Sequence, residues 1–156
     1  MFRDDLKVRI SIIRDMEKNI LQEPVRRNRL KKLNELFCAR NNLRLQFYNT
    51  TLKELDIKTM LEQEAILFIK FQEKLITHFG CPNSEFGVNV RSIMETCKHC
   101  EEMGLNTIRA QAKLTLSNIS NKLNESSNIM KTYRLRYLKR CQTILEQNTE
   151  EILESV

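Results

Sequence analysis

His78-x-x-Cys81 and, fifteen residues further on, Cys97-x-x-Cys100 form the one arrangement in the chain whose residue types and spacing suit a metal. Each x-x step lets two donors of one turn reach the same tetrahedral ion. Three thiolates with one imidazole make an acceptable zinc set, and His99 is a spare donor. Helical phase argues the other way. Cys97 and Cys100 share a stripe with Phe86, Val90 and Ile93, where a free thiol packs as a small hydrophobe. His78 falls near a helix end, where the dipole favours a cationic ring. The expectation is therefore core and cap roles for these residues, with no metal and no cofactor.

Two basic clusters come next. Arg26, Arg27, Arg29, Lys31 and Lys32 crowd one stretch; Lys131, Arg134, Arg136, Lys139 and Arg140 crowd another, interleaved with Tyr133 and Tyr137. Such cations neutralise phosphates, and tyrosines stack on bases. The first cluster also has the composition of a nuclear import signal. The alternative is a solvated helix face whose aliphatic stems cover apolar neighbours.

Catalytic patterns are absent from the sequence. It has two His, and it has no Gly-rich phosphate loop, no G-x-S-x-G turn and no H-E-x-x-H pair. Its acidic pairs, Glu62 with Glu64 and Glu101 with Glu102, have the spacing of solvated helix faces. Cys81 follows Gly80, but no neighbour in sequence would activate it as a nucleophile. The chain is read as non-enzymatic.

The elements that must carry these residues are helices. Three Gly and two Pro in 156 residues are too few for the turns a sheet needs. Apolar steps of three and four predict helices over Asp4–Gln22, Arg26–Tyr48, Leu52–Phe79 and Glu85–Met103, and a last, long one over Asn106–Glu154. Pro24 ends the first helix. Thr51 and Glu54 have capping-box spacing after a break near Asn49. Gly80 to Gly87 is read as a loop, and Gly104 as a C-terminal stop.

The stripe of helix two is read as Leu30, Leu33, Phe37, Leu45 and Tyr48. Helix three, apolar all round at Ala65–Ile69, is placed at the centre. The expected core is Leu6, Ile13, Leu33, Phe37, Phe68, Phe71, Leu75, Val90, Ile93, Cys97, Leu116, Ile119 and Leu123.

Unbroken, the last helix would span roughly 70 Å, so residues 130–156 are expected to project or bend. Leu116, Leu123, Met130, Tyr137 and Ile144 recur every seven residues, with Leu138, Leu145 and Ile152 as a second series. That spacing keeps a seam toward a partner helix. Ser126 and Arg140 make it an imperfect coiled coil.

Composition sets the remaining bounds. The net charge is +6, from 26 basic and 20 acidic residues, with the acidic excess confined to residues 56–104. A moderate basic excess permits an acidic partner without requiring one. Five Cys, an odd number, and no export pattern at the start suggest a reducing, intracellular compartment, cytoplasmic or nuclear. No apolar run reaches the ~18 residues of a membrane span.

The sequence thus points to one all-α domain over 1–156, built of four to five antiparallel helices in an elongated bundle. Its expected role is that of an interaction or scaffold subunit in a larger complex. It would bind another chain, or a second copy, through Leu116, Leu123, Met130, Tyr137 and Ile144. The alternative is a nucleic-acid or acidic-membrane module using the two basic clusters.

Overall fold

A computed structural model describes residues 2–51, 55–80, 83–125 and 130–155. Six helices run through them: α1 (Phe2–Gln22), α2 (Arg26–Thr51), α3 (Leu55–Phe79), α4 (Asn83–Glu102), α5 (Ile108–Glu125) and α6 (Lys131–Ser155). Among the described residues there is no strand.

The helix ends follow from local chemistry. Pro24 stops α1, and the Arg29 guanidinium turns back to donate to the carbonyls of Glu23 at 3.2 Å and Pro24 at 2.9 Å. Those acceptors would otherwise be orphaned at the helix end. Gly104 takes φ +81° after α4. The Leu105 N–H then reaches the Cys100 carbonyl at 2.7 Å, and Gly104 N–H the Glu101 carbonyl at 3.0 Å. This is a Schellman stop, which needs a residue without Cβ at the left-handed position. Acidic first turns in α1, α3 and α4, and His78, His99 and Lys122 in the last turns of α3, α4 and α5, agree with the helix dipoles.

Successive helices are antiparallel, and the packing is a zigzag of three helix pairs. α3 lies between α1 and α5, and cross-contacts from Arg14 to Glu64 and from Asn118 and Lys122 to Glu73 set the three running the same way. α2 packs on α1 and α3, α4 on α3 and α5, and α6 on α5. Polar contacts fix the register. Gln46 near the end of α2 donates to Asp5 at the start of α1 (3.1 Å). Asn118 and Lys122 of α5 reach Glu73 of α3 at 3.0 and 3.1 Å. Arg109 at the start of α5 donates to the Leu145 carbonyl of α6 at 3.1 Å.

α3 is the shared wall, packed against α1, α2, α4 and α5. It buries Ile57, Leu61, Phe68, Phe71 and Leu75 on one stripe and Ala65, Ile69 and Ile76 on another. Each fully buried Leu, Ile or Phe contributes on the order of 1.5–3 kcal/mol of transfer free energy. The central position expected for this helix is therefore met, and of the expected core only Phe37 is partly rather than fully buried.

Three expectations are corrected. The helix count is six among the described residues, because the single last helix is two. α5 and α6 double back on each other, with the Lys131 ammonium donating to the Asn124 carbonyl at 2.7 Å. Ser126, Ser127 and Asn128 are poor helix formers that prefer turns and caps; their placement, like that of Glu54 in the expected capping box, lies outside the described residues. Second, Gly87 belongs to α4 rather than to a loop. Third, the inner stripe of α2 is Arg29, Leu33, Leu36, Arg40, Leu43 and Phe47, in alternating steps of four and three. Leu45, assigned to the stripe from sequence, is exposed.

Candidate partner-binding surface

The outer face of α6 is built from residues one helical turn apart. Leu138, Cys141 and Leu145 point inward and are buried against α5 and its neighbours. Arg134 goes inward with them, its guanidinium carbon 4.8 Å above the ring of Phe86 in α4. The opposite side therefore holds Tyr133, Arg136, Lys139, Arg140, Thr143 and Ile144, which line a shallow depression of about 760 Å³. Tyr133 is 63% exposed and Ile144 46%. Tyr137 sits at the edge, partly buried, with the Arg140 guanidinium carbon 5.9 Å from its ring centroid. Burial raises the Tyr137 hydroxyl pKa.

The seven-residue series from sequence is thus divided by the fold. Leu116 and Leu123 are core residues, because α5 faces α3 and α4 with that stripe. Met130 lies in the turn before α6, half-buried, and Tyr137 and Ile144 are on α6. Within the described part of α6 the inward series is Leu138 and Leu145. The Ile152 side chain lies outside the described residues. Helix α6 folds back on α5 at least as far as Leu145.

Both basic clusters send arginines to the start of α4. Glu85, at the start of α4, takes Arg26 at 3.3 Å and Arg29 at 3.4 Å, and its neighbour Phe86 lies under Arg134. Several of the cations are internal. Arg29 is buried and stacks 3.9 Å over Phe79, and Lys32 pairs with Glu23 at 3.0 Å. Arg27, Lys31, Arg136, Lys139 and Arg140 are at the surface.

A second constellation, which sequence reasoning missed, is a buried ionic layer. Arg40 of α2 grips Glu64 of α3 with both Nε and Nη2, donates through Nη1 to Thr96 Oγ1 of α4 (3.3 Å), and stacks over Phe68. Arg14 of α1 approaches Glu64 Oε1 at 3.4 Å and Glu17 Oε1 at 3.0 Å. Glu17 Oε2 is buried without a hydrogen-bond partner. Burial, outweighing the attraction of Arg14, raises the Glu17 carboxyl from 4.5 to about 7. This layer floors a cleft of about 470 Å³ where α2 and α4 stand apart over α3. The signal available in sequence was Arg29, Leu33, Leu36, Arg40, Leu43, Phe47, whose steps are regular once arginine is allowed inside.

Of the residues with zinc-like spacing, the described three, His78, Cys97 and Cys100, do not gather as a ligand set. Cys97 and Cys100 are buried in the core, and His78 is exposed with its ring edge-on to Phe79 at 4.6 Å. Cys81 lies outside the described residues. Burial, with Glu101 nearby, pushes the Cys97 thiol up to about 11, and burial pushes Cys100 up to about 12. Both thiols are therefore weak nucleophiles in the native chain. Among the described residues no three His, Cys, Asp or Glu side chains gather in a metal-binding group, and no helix is long and apolar enough to cross a membrane.

No protein-family model, no characterised protein and no solved structure matches the chain.

Proposed function

We propose that this chain is a non-enzymatic helical subunit that binds another protein by helix packing, through the outer face of α6. The observation that carries this reading is the exposure of Tyr133 and Ile144 at the two ends of one helical face, with Tyr137 half-covered between them. Among the described residues α6 packs mainly on α5, with Arg134 reaching Phe86 of α4, which places it at the edge of the array. An edge helix that ended the stack would present a polar face to water; an amphipathic one can accept a further helix. The partial coiled-coil character read from sequence is assigned to this face, with Tyr137 and Ile144 retained as partner-binding residues. Leu116 and Leu123 are given up to the core.

The test is site-specific photocrosslinking in cells, with benzoylphenylalanine at Tyr133 or Ile144 and, as control, at Asp15 on α1. Discrete crosslinked species from the two α6 positions and none from Asp15 are expected. A compact monomer by sedimentation that gives no crosslink at Tyr133 or Ile144 sinks the reading.

A second reading is favoured by the approach of arginines from both basic clusters to the start of α4: nucleic acid or acidic lipid bound there. Its exposed contributors are Arg27, Lys31 and Arg136. Binding to phosphates must weaken steeply with salt. Retention on heparin beyond physiological ionic strength that is lost in Arg27→Glu/Lys31→Glu supports this reading, and retention unaffected by those changes removes it.

A further inference from the structure

The charge pattern of α6 says more about the partner than exposure alone does. From Lys131 to Leu145 the chain carries five Lys and Arg and no Asp or Glu. Arg134 is withdrawn over Phe86. That leaves Arg136, Lys139 and Arg140 at the surface, and Arg91 of α4, also exposed, lies close enough to act on the Tyr137 hydroxyl. The cations are not gathered into a separate patch. They alternate around the depression with Tyr133, Thr143 and Ile144. Tyr133 and Ile144 are eleven residues apart on one helix, hence separated by about 16 Å along its axis.

From this we infer that the occupant of the α6 face is an acidic amphipathic helix of a partner protein. The inference rests on the protein-binding reading above and adds the chemistry of the partner. Such a helix would run alongside α6 for at least three turns. Apolar side chains at one-turn spacing would cover Tyr133 and Ile144, and Asp or Glu residues along the solvent-side flank would meet Arg136, Lys139 and Arg140. Arginine is suited to this, because its planar fork holds a carboxylate with two parallel hydrogen bonds. A bare phosphate chain accounts for the cations but leaves Ile144 in water. A lipid surface calls for a broad apolar face with several large side chains, and the depression offers only Tyr133 and Ile144. A basic or purely apolar helix would leave the guanidinium groups uncompensated.

The experiment uses the full chain and four labelled synthetic helices of about fourteen residues. The first three have Leu at positions i, i+4, i+7 and i+11. The flanking positions are Glu in the first, Gln in the second and Lys in the third; the fourth keeps the Glu but has Ala for Leu. Binding is read by fluorescence anisotropy at ~50 and ~500 mM salt.

The Glu helix is expected to bind at least about tenfold more tightly than the Gln or Ala helix, and to weaken at high salt. Arg136→Glu/Arg140→Glu should abolish that binding and gain binding to the Lys helix. The substituted side chains are exposed, and circular dichroism checks that the variant keeps its helix content.

If the Gln helix binds as well as the Glu helix, and Tyr133→Asp/Ile144→Asp removes both, the acidic chemistry is overturned while the protein-binding reading stands. If no helix binds, the inference is overturned, and the photocrosslinks at Tyr133 and Ile144 decide the broader reading independently. If the face instead binds phosphatidylserine vesicles or a single-stranded oligonucleotide through Arg136 and Arg140, and none of the helices, both fall together.

Discussion

Arg40 and Glu64 form a two-point ion pair across the α2–α3 boundary, with Nη2 at 2.9 Å from Oε2 and Nε on Oε1. The contact crosses the most sparsely packed of the interfaces of α3, next to the open cleft. Its energetic meaning is asymmetric. Two charges were taken out of water to make it, so the pair gains little over an apolar pair of similar size. Removing one partner leaves the other buried alone.

Arg40→Met should therefore destabilise the fold by about 3–5 kcal/mol, and Arg40→Met/Glu64→Leu should recover most of that loss. Arg14 moderates the outcome, since it also reaches Glu64 at 3.4 Å. Urea unfolding of the two variants beside the parent chain measures both effects. A single-variant loss below about 1 kcal/mol would mean that Glu64 is solvated through the cleft and that the layer is ordinary surface electrostatics.

The same layer predicts a dependence on pH. Glu17 is faced by Arg14 on its own helix, Arg40 of α2, and Glu64 and Lys74 of α3. Its carboxyl releases its proton near 4.5 in the unfolded chain and near 7 in the native one, chiefly because it is buried. Between those values the native state holds more protons than the unfolded state, so stability falls as pH rises. The contribution is fully present below 4.5 and lost by pH 7 to 8. Each pH unit in that window removes about 1.4 kcal/mol, hence roughly 3 kcal/mol in all. Glu17→Gln should flatten the slope and leave the chain more stable than the parent at pH 8. Equal slopes for parent and variant would place Glu17 in water.

Much of this fold was legible from sequence, and the misses share a cause. Helices α1, α3 and α4 were found within a few residues because their inner stripes are Leu, Ile, Phe, Val and Cys at regular steps. α2 was found as a helix but rotated by about one position. Two of its inner residues are Arg29 and Arg40, which a hydropathy pattern assigns to water. The eye then moves to Leu30, Phe37 and Leu45, and Leu45 is exposed. The ionic layer was hidden by the same misassignment, since a carboxylate and a guanidinium from different helices have no sequence spacing. The hairpin between α5 and α6 was missed because Leu116, Leu123, Met130, Tyr137 and Ile144 keep a period of seven across it by coincidence. Leu116 and Leu123 face α3 and α4, whereas Ile144 faces water.

Thiol reactivity should separate the cysteines. Cys38 is exposed on α2, whereas Cys97, Cys100 and Cys141 are buried. Burial raises the thiol pKa of all three buried groups, to about 11 for Cys97 and about 12 for Cys100. Attack requires thiolate as well as access. Iodoacetamide at pH 8 should modify Cys38 in the native chain, while Cys97 and Cys100 should follow only as fast as the chain unfolds in urea. Peptide mapping by mass spectrometry reads each site. Rapid native labelling of Cys100 would show that the cleft opens far enough to admit reagent and ionise the thiol.

The division of the seven-residue series gives the most direct check on the proposed interface. Leu123 is 2% exposed, between α5 and the core. A glutamate there loses the packing of the leucine and also buries a carboxylate among apolar side chains, so Leu123→Glu should cost more than about 4 kcal/mol. Helix content would fall with it. Any loss of binding in that variant would therefore report unfolding. Tyr133→Glu/Ile144→Glu replaces two exposed side chains and should change stability by no more than about 0.5 kcal/mol per site. If α6 carries the interface, the second variant, with benzoylphenylalanine placed instead at the exposed Thr143 of the same depression, should lose the crosslinked partner at unchanged thermal midpoint, while the first should melt well below the parent. A Leu123→Glu chain that stays folded would mean that the α5 stripe is not packed against α3 and α4, returning Leu116 and Leu123 to the list of residues free to meet a partner.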